Sequence, residues 1–339
     1  MTPRIEKLNE KKLSQISSAA KIIKDGGIVA FPTETVYGLG ANALDPIAVA
    51  KIFELKGRPK FDPLIVHIAD TGDIKLLSSS DDNRIYQLAE IFWPGPLTIV
   101  VPKSTVVPDI VTAGLHTVGI RMPKNFIALE LIKKSGCPIA APSANKFGKI
   151  SPTTAQHVKK YFPKINFILD GGKTEVGIES TVIKLNAKGF EILRHGVITK
   201  EEIESILPYY SEGKNDVISA PGMIKSHYSP NKPFYILNEE LKNKIDRSKA
   251  GLISFSGTDT EGFKKVIYLS PKSERSLGQD LSEAAANLFG AMHQLEESDV
   301  EIIVAEPVPE KGIGIAIMDR LKKAAYQSQP AIHKNKFLK

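Results

Sequence analysis

Ile28-Val-Ala-Phe-Pro-Thr-Glu-Thr-Val-Tyr-Gly-Leu-Gly-Ala-Asn-Ala43 is the stretch on which the reading of the fold turns. Residues 28–31 read as a short buried strand. Four polar side chains then follow, Thr33, Glu34, Thr35 and Tyr37, in a turn that Pro32 and Gly38 permit. Upstream, Leu13, Ile16, Ala20 and Ile23 recur at helical spacing before Gly26-Gly27, which can supply the left-handed residue that ends a helix. Downstream, 47–55 reads as a helix and 63–68 as a strand. Further apolar runs at 97–101, 118–122, 138–141, 166–169 and 180–185 alternate with helical patterns at 82–92, 128–135 and 155–161. Strands mixed with helices, joined by connections longer than hairpins, indicate an α/β fold.

After Tyr210 the pattern changes. Residues 211–233 hold three prolines, two glycines and little periodicity, which predicts an interdomain linker. Beyond it, strands at 252–255, 266–269 and 300–305 and helices at 281–295 and 315–325 predict a smaller parallel α/β unit. The expected domains are therefore 1–210 and 234–339, and a length of 339 residues suits two domains. A chain 42% hydrophobic and 24% charged can bury sizeable cores, so a disordered chain is excluded. The net charge of +7 is mild and suits a nucleotide as well as a nucleic acid. A single cysteine, Cys137, excludes an internal disulfide framework and a cysteine-based zinc site, and favours a reducing compartment. The charged start of the chain carries no apolar signal region, and no apolar run approaches the ~20 residues of a membrane span. These features predict a cytoplasmic protein with no membrane association.

Two nucleotide-binding patterns nearly fit. Gly171-Gly-Lys-Thr174 ends like a P-loop, but Phe167 stands where the first glycine belongs and no helix follows. Gly38-Leu-Gly-Ala-Asn-Ala43 matches a dinucleotide fingerprint, except that residues 32–37 separate it from the strand. Other features are ambiguous one by one. Thr33 and Thr35 can bind a small polar substrate or satisfy their own backbone. Lys56-Gly-Arg-Pro-Lys60 can converge on phosphates or form a solvated basic turn at a helix end. His67 interrupts an apolar strand, where a core histidine is the usual outcome. Arg121, ending another, needs a counter-charge, for which a ligand carboxylate is one candidate. Ala140-Ala-Pro-Ser-Ala-Asn145 puts small residues, then short hydrogen-bonding ones, after a strand. Glu179-Ser-Thr181 opens the next, and Arg194-His-Gly196 closes another.

In this order, the segments resemble the threonylcarbamoyl-AMP synthase (YrdC-like) family. The matching stretches are 31–43, Lys56-x-Arg58, 63–67, Trp93-Pro-Gly-Pro-Leu97, Gly119-Ile-Arg-Met-Pro123, 138–145, Asp170-Gly-Gly172, Glu179-Ser-Thr-Val182 and Leu193-Arg-x-Gly196. The segments Ala220-Pro-Gly-Met223, His227-Tyr-Ser-Pro230 and Gly312-Ile-Gly-Ile-Ala-Ile-Met-Asp-Arg-Leu321 resemble its longer, two-domain branch, with Ile224 where a basic residue often follows the turn. The resemblance implies a twisted mixed α/β sheet around a large basic cavity, plus a smaller Rossmann-like C-terminal domain. It also implies a reaction in which L-threonine, bicarbonate (or CO2) and ATP give L-threonylcarbamoyl-AMP and pyrophosphate. The product would pass to a separate tRNA-modifying threonylcarbamoyl transferase machinery.

Carried over by position, Thr33, His67, Arg121, Ala141 and Ser180 would form the threonine pocket. Lys56, Arg58, Thr117, Ser143, Asn145, Ser151, Arg194 and Asn231 would bind the nucleotide, with Lys56, Arg58 and Arg194 catalytic. Tyr37, Lys60 and Tyr228 are further candidates. Mg2+ would ride on the ATP phosphates rather than in a dedicated protein site, and the linker would act as a lid. An alternative is an RNA-binding protein using the same basic cavity, with weak tRNA affinity that falls with salt. Carbamoyl transfer to another acceptor would need acylphosphatase and zinc-finger domains for which this chain has neither the length nor the cysteines.

Overall fold

The computed structural model describes residues 10–59, 61–211, 213, 227–272, 278–326 and 328. The chain opens with α1 (Glu10–Lys24), followed by β1 (Val29–Pro32), β2 (Tyr37–Asn42), α2 (Pro46–Lys56) and β3 (Ile65–His67). Next come α3 (Asp73–Leu77), α4 (Asn83–Phe92), β4 (Leu97–Pro102), α5 (Asp109–Thr112), β5 (Thr117–Arg121), α6 (Phe126–Ser135) and β6 (Ile139–Ala140). Then α7 (Ala155–Tyr161), β7 (Thr181–Asn186), β8 (Gly189–Arg194) and α8 (Lys200–Glu204) complete the first unit. Its eight strands lie in the order β1-β2-β6-β3-β5-β4-β7-β8, with β3/β5 and β4/β7 parallel and the other pairs antiparallel.

Strand periodicity sorts the core onto two faces. Val29 and Phe31 pack with α1 and α6 through Ile16, Ile23, Ala128 and Leu131. Ala30 points the other way, into the cluster built from Ile52 of α2, Leu88 of α4 and Ile99 and Ile120 of the sheet. The near-fingerprint at 38–43 is strand β2. A Cβ on Gly40 would come within 2.6 Å of the Phe31 ring and 2.7 Å of Ile139, so this glycine serves close strand packing. The apolar run at 166–169 makes only the isolated bridge Ala30↔Ile168 and not the expected strand.

The second sheet comprises β9 (Phe234–Ile236), β10 (Ala250–Ser254), β11 (Lys265–Tyr268) and β12 (Ile302–Ala305), with α9 (Glu239–Lys244), α10 (Leu281–Glu297) and α11 (Ile313–Ala325). Its order is β11-β10-β12-β9, all parallel. The strand β9, directly after Pro233, was not expected from the sequence. The core of this unit continues into the first: Val36, Ile150 and Ile178 pack in one cluster with Phe289 and Met292 of α10 and Ile317 and Leu321 of α11. Within the expected linker, residues 212 and 214–226, and with them Ile224, lie outside the described residues. Among the described residues no helix is long and apolar enough to cross a membrane.

Candidate active site

The sheet brings its charged strand ends together. His67 and Arg121 finish the parallel neighbours β3 and β5 and are partners in register. Arg194 finishes β8 opposite Val182 of β7, just after Ser180. Between them lies a cavity lined by Thr33, Thr35, Val36, Gly38, Arg58, Ile65, His67, Arg121, Ala141, Pro142, Ser143, Glu179, Ser180, Arg194, His227 and Tyr228. The unfilled space among these residues, open solvent at the mouth included, is about 580 Å3, and about 50 Å3 can take the centre of a water molecule. One water needs roughly 10–15 Å3 on that measure, so the pocket as it stands has room for a few small groups. His227 and Tyr228 occupy part of its wall.

Local sequence explains how the cations arrive there. Asp45 caps α2 by accepting from the backbone of Ile47 and Ala48, and Gly57 ends the helix at φ 63°. A left-handed residue there turns the chain so that Arg58 meets the cavity while Lys56 stays on the helix. The Arg58 Nη2 lies 2.9 Å from Asp62 Oδ2 in a buried ion pair, and donates to the carbonyl of Pro63 at 2.8 Å. Lys56 is buried behind the rim, where its Nζ donates to the carbonyls of Ser143 at 2.5 Å and Asn145 at 2.6 Å. Burial, then the neighbouring Arg58 charge, holds the Lys56 ammonium well below its ordinary pKa. Asn145 donates to the carbonyls of Lys146 and Lys149, and its side-chain oxygen is buried without a partner.

Arg121 finds its counter-charge in the quoted turn. Its Nη2 donates to Glu34 Oε1 at 2.6 Å and its Nε to the Gly95 carbonyl at 3.2 Å, while the second Glu34 oxygen accepts from the Lys124 backbone. Protein thus supplies the carboxylate that the sequence left open to a ligand. Thr33 satisfies its own turn, its hydroxyl donating to the Val36 carbonyl at 2.7 Å and meeting the Thr35 hydroxyl at 2.8 Å, and the residue also lines the cavity. His67 is pushed down to about 3 by burial and then by the Arg121 charge, so it is neutral at ordinary pH, with its Nδ1 unpartnered. Ser180 shares a hydrogen bond with Thr98, and its carbonyl and hydroxyl accept from Arg194 at 3.0 Å each. Ala141 donates its backbone N–H to Ile65.

Other sequence candidates lie elsewhere. Thr117 starts β5, at the opposite end from Arg121, because a strand advances about 3.3 Å per residue away from the cavity. Asn231 donates to Glu296 at 2.7 Å and accepts from Lys149 at 2.6 Å, an exposed arrangement outside the lining. Tyr37 is buried, and its hydroxyl donates to the Gly172 carbonyl and accepts from the Gly171 N–H. Ser151 is fully buried and donates to Glu179 Oε1 at 2.6 Å, one step behind the cavity wall. Lys60 lies outside the described residues. The lining residues that the sequence did not single out for binding are Val36, Gly38, Ile65, Pro142, Glu179 and His227. Most of these flank a candidate in sequence, which was the available signal.

Around the cavity, Lys56, Arg58, Arg121, Arg194 and Arg320 outnumber the carboxylates Glu34, Asp62 and Glu179. A buried cluster with surplus cations is complementary to an anion.

A family model described as telomere recombination, covering Sua5, YciO and YrdC, matches residues 21–196. A second, described as the C-terminal domain of threonylcarbamoyl-AMP synthase, matches 198–326. The chain is 44% identical to a Pyrococcus abyssi threonylcarbamoyl-AMP synthase, over 94% of this chain and 96% of that one. Against the Bacillus subtilis threonylcarbamoyl-AMP synthase the identity is 43%, over 92% and 93%. The crystal structure of P. abyssi Sua5 complexed with L-threonine superposes with a TM-score of 0.83 at 43% identity, covering 93% of this chain and 95% of that one. With both sheets matched across nearly the whole length, the chain belongs to the threonylcarbamoyl-AMP synthase family in its two-domain form.

Proposed function

We propose that the protein is a threonylcarbamoyl-AMP synthase acting as a nucleotidyltransferase: L-threonine, bicarbonate and ATP give L-threonylcarbamoyl-AMP, pyrophosphate and water. The observation that carries this reading is the small pocket in which Arg58, Arg121 and Arg194 converge with Thr33, His67 and Ser180. The amine of threonine adds to CO2 or bicarbonate, and an oxygen of the resulting carbamate attacks the α-phosphorus as pyrophosphate leaves. An anionic nucleophile meets an anionic electrophile, so positioning and charge neutralisation are the dominant needs.

Arg121, held by Glu34, is assigned to the threonine carboxylate, for which its Nη1 makes no hydrogen bond among the described residues. Neutral His67 and the Thr33 and Ser180 hydroxyls are assigned to orienting the amino acid. Arg58 and Arg194, with Lys56 behind them, are assigned to the phosphates, and Ser143 and Asn145 to the nucleotide beside Lys56. ATP is much larger than the open part of the pocket, so its entry requires His227 and Tyr228 to shift. Their return would exclude water from a labile carbamoyl adenylate. Mg2+ is taken as arriving on the ATP phosphates, as part of the substrate. Among the described residues no group of three or more His, Cys, Asp or Glu side chains is placed to hold a metal ion.

The product is proposed to feed a transferase that modifies adenosine in tRNA, in the cytoplasm. Direct RNA binding by the cavity is disfavoured, because arginines buried at the bottom of a pocket this narrow are out of reach of a polynucleotide backbone. The test is pyrophosphate release from ATP in bicarbonate buffer. Release that depends on threonine is expected; release indifferent to threonine would overturn the reading.

A further inference from the structure

Among the described residues Arg320 is the largest fully buried side chain, and it belongs to α11 of the second unit. A buried arginine is rarely the most stable choice for a core position, since apolar residues of similar volume often serve as well or better. This one reaches across to the first unit. Its Nε donates to Glu179 Oε2 at 3.2 Å and its Nη1 to the His195 carbonyl at 2.5 Å. Its guanidinium carbon stands 5.7 Å from the centre of the Tyr228 ring. Glu179 and Tyr228 both line the cavity. The other oxygen of Glu179 accepts from Ser151, whose own carbonyl lies 3.1 Å from His293 Nε2 of α10. Phe289 of α10 packs on Tyr228 at 5.2 Å between ring centres. Tyr228 itself is held at φ 63°, a left-handed backbone that a tyrosine adopts only under constraint.

We propose that Arg320 is a positioning residue of the active site: its guanidinium fixes the Glu179 carboxylate and so keeps the neighbouring Arg194 directed to the nucleotide. Glu179 precedes Ser180, whose carbonyl and hydroxyl hold Arg194. Burial opposes ionisation of Glu179, but the Arg320 charge, then that of Arg194, holds its carboxyl below the ordinary range. Without Arg320, Arg194 becomes the main cation acting on a buried carboxylate, which then competes with the substrate phosphates for it. The second unit thereby braces a wall of the site from behind rather than serving only to carry a connecting segment. Among the described residues Arg320 and Glu179 make no hydrogen bond to Arg121, Thr33 or His67, and of the amino-acid side only Ser180 adjoins this arrangement, so that side should be affected less than the nucleotide side.

The inference rests on the synthase reading, which threonine-dependent turnover of the unaltered protein tests separately. The test of the inference is a cycle of Arg320→Gln, Glu179→Gln and the double variant, with KM measured for ATP and for threonine. Arg320→Gln is expected to raise the ATP KM about tenfold and the threonine KM less than about threefold. Adding Glu179→Gln should bring the ATP KM back to within about threefold of the unaltered protein, because the competing charge is gone. Both KM values rising together, or a double variant no better than Arg320→Gln, would overturn the proposal. If Arg320→Gln does not fold, Arg320→Met takes its place in the same cycle, with the same rescue required.

Discussion

At the strand ends of the eight-stranded sheet, Arg121 and Arg194 open onto a cavity, and cations in and behind its wall outnumber carboxylates. At the corresponding ends of the parallel sheet, the buried charge is Glu306, just after β12, and it is satisfied from within its own unit. One of its oxygens accepts from Ser254 Oγ, the Phe255 and Ser256 N–H groups and Ser256 Oγ, all between 2.7 and 3.0 Å. The carboxyl ends of parallel strands are where open α/β sheets usually bind ligands, yet here a side chain already takes those donors. The contrast teaches that a fold with a suitable binding edge can use it for stability. Its contribution to chemistry can come from elsewhere, here through Arg320 on α11.

The sharpest way to break this comparison is Lys56→Ala. If the cations of the first sheet serve the reaction, threonine-dependent turnover should fall by about 100-fold or more, measured by pyrophosphate release. Arg58→Ala should lose as much, but it also leaves Asp62 buried without its ion-pair partner, so Lys56→Ala is the cleaner variant. Next in size is pH. Since Lys56 is held well below its ordinary pKa by burial and Arg58, only its protonated form neutralises phosphate. Nucleotide affinity should therefore weaken as pH rises through that lowered pKa, by up to about tenfold per unit, in a calorimetric titration series. In Lys56→Met the slope should disappear.

Glu306→Ala sharpens the other side of the comparison. It should cost about 3 kcal/mol in denaturant unfolding by orphaning buried N–H groups, with turnover unchanged once folded. A further prediction concerns the contact between the units. His157 and His293 stack with ring centres 3.7 Å apart, and burial pushes them down to about 4 and about 3 from 6.5. Their neutral forms support stability fully above pH 6.5, and that support is lost as pH falls from 6.5 towards 3–4, where both become charged in the folded state too. The melting temperature should fall across that window, and less so in His293→Phe.

Much of the fold was legible because burial alternates with the right period. Val29, Ala30 and Phe31 divide between two faces, and α1, α4 and α10 carry their apolar positions at helical spacing. Glycines hid β2, since Gly38 read as part of a turn and 38–43 as a near-fingerprint, whereas Gly40 is there for close contact with Phe31 and Ile139. In the site, strand-end arginines declared themselves by being charges in apolar runs. Glu34 as the partner of Arg121 was within view, in the same polar turn as Thr33. Arg320 was not: its tie to Glu179 spans 141 residues and two sheets, and within α11 it looks like an ordinary helix cation.

For the proposed reaction, threonine and nucleotide must meet in one hollow. A crystal structure of the protein with L-threonine and a non-hydrolysable ATP analogue tests this directly. It should place the amino-acid carboxylate on Arg121 and the phosphates on Arg58, Arg194 and Lys56, with the carboxylate and α-phosphate sharing the cavity between β5 and β8. Ligands found in two separate cavities would contradict it.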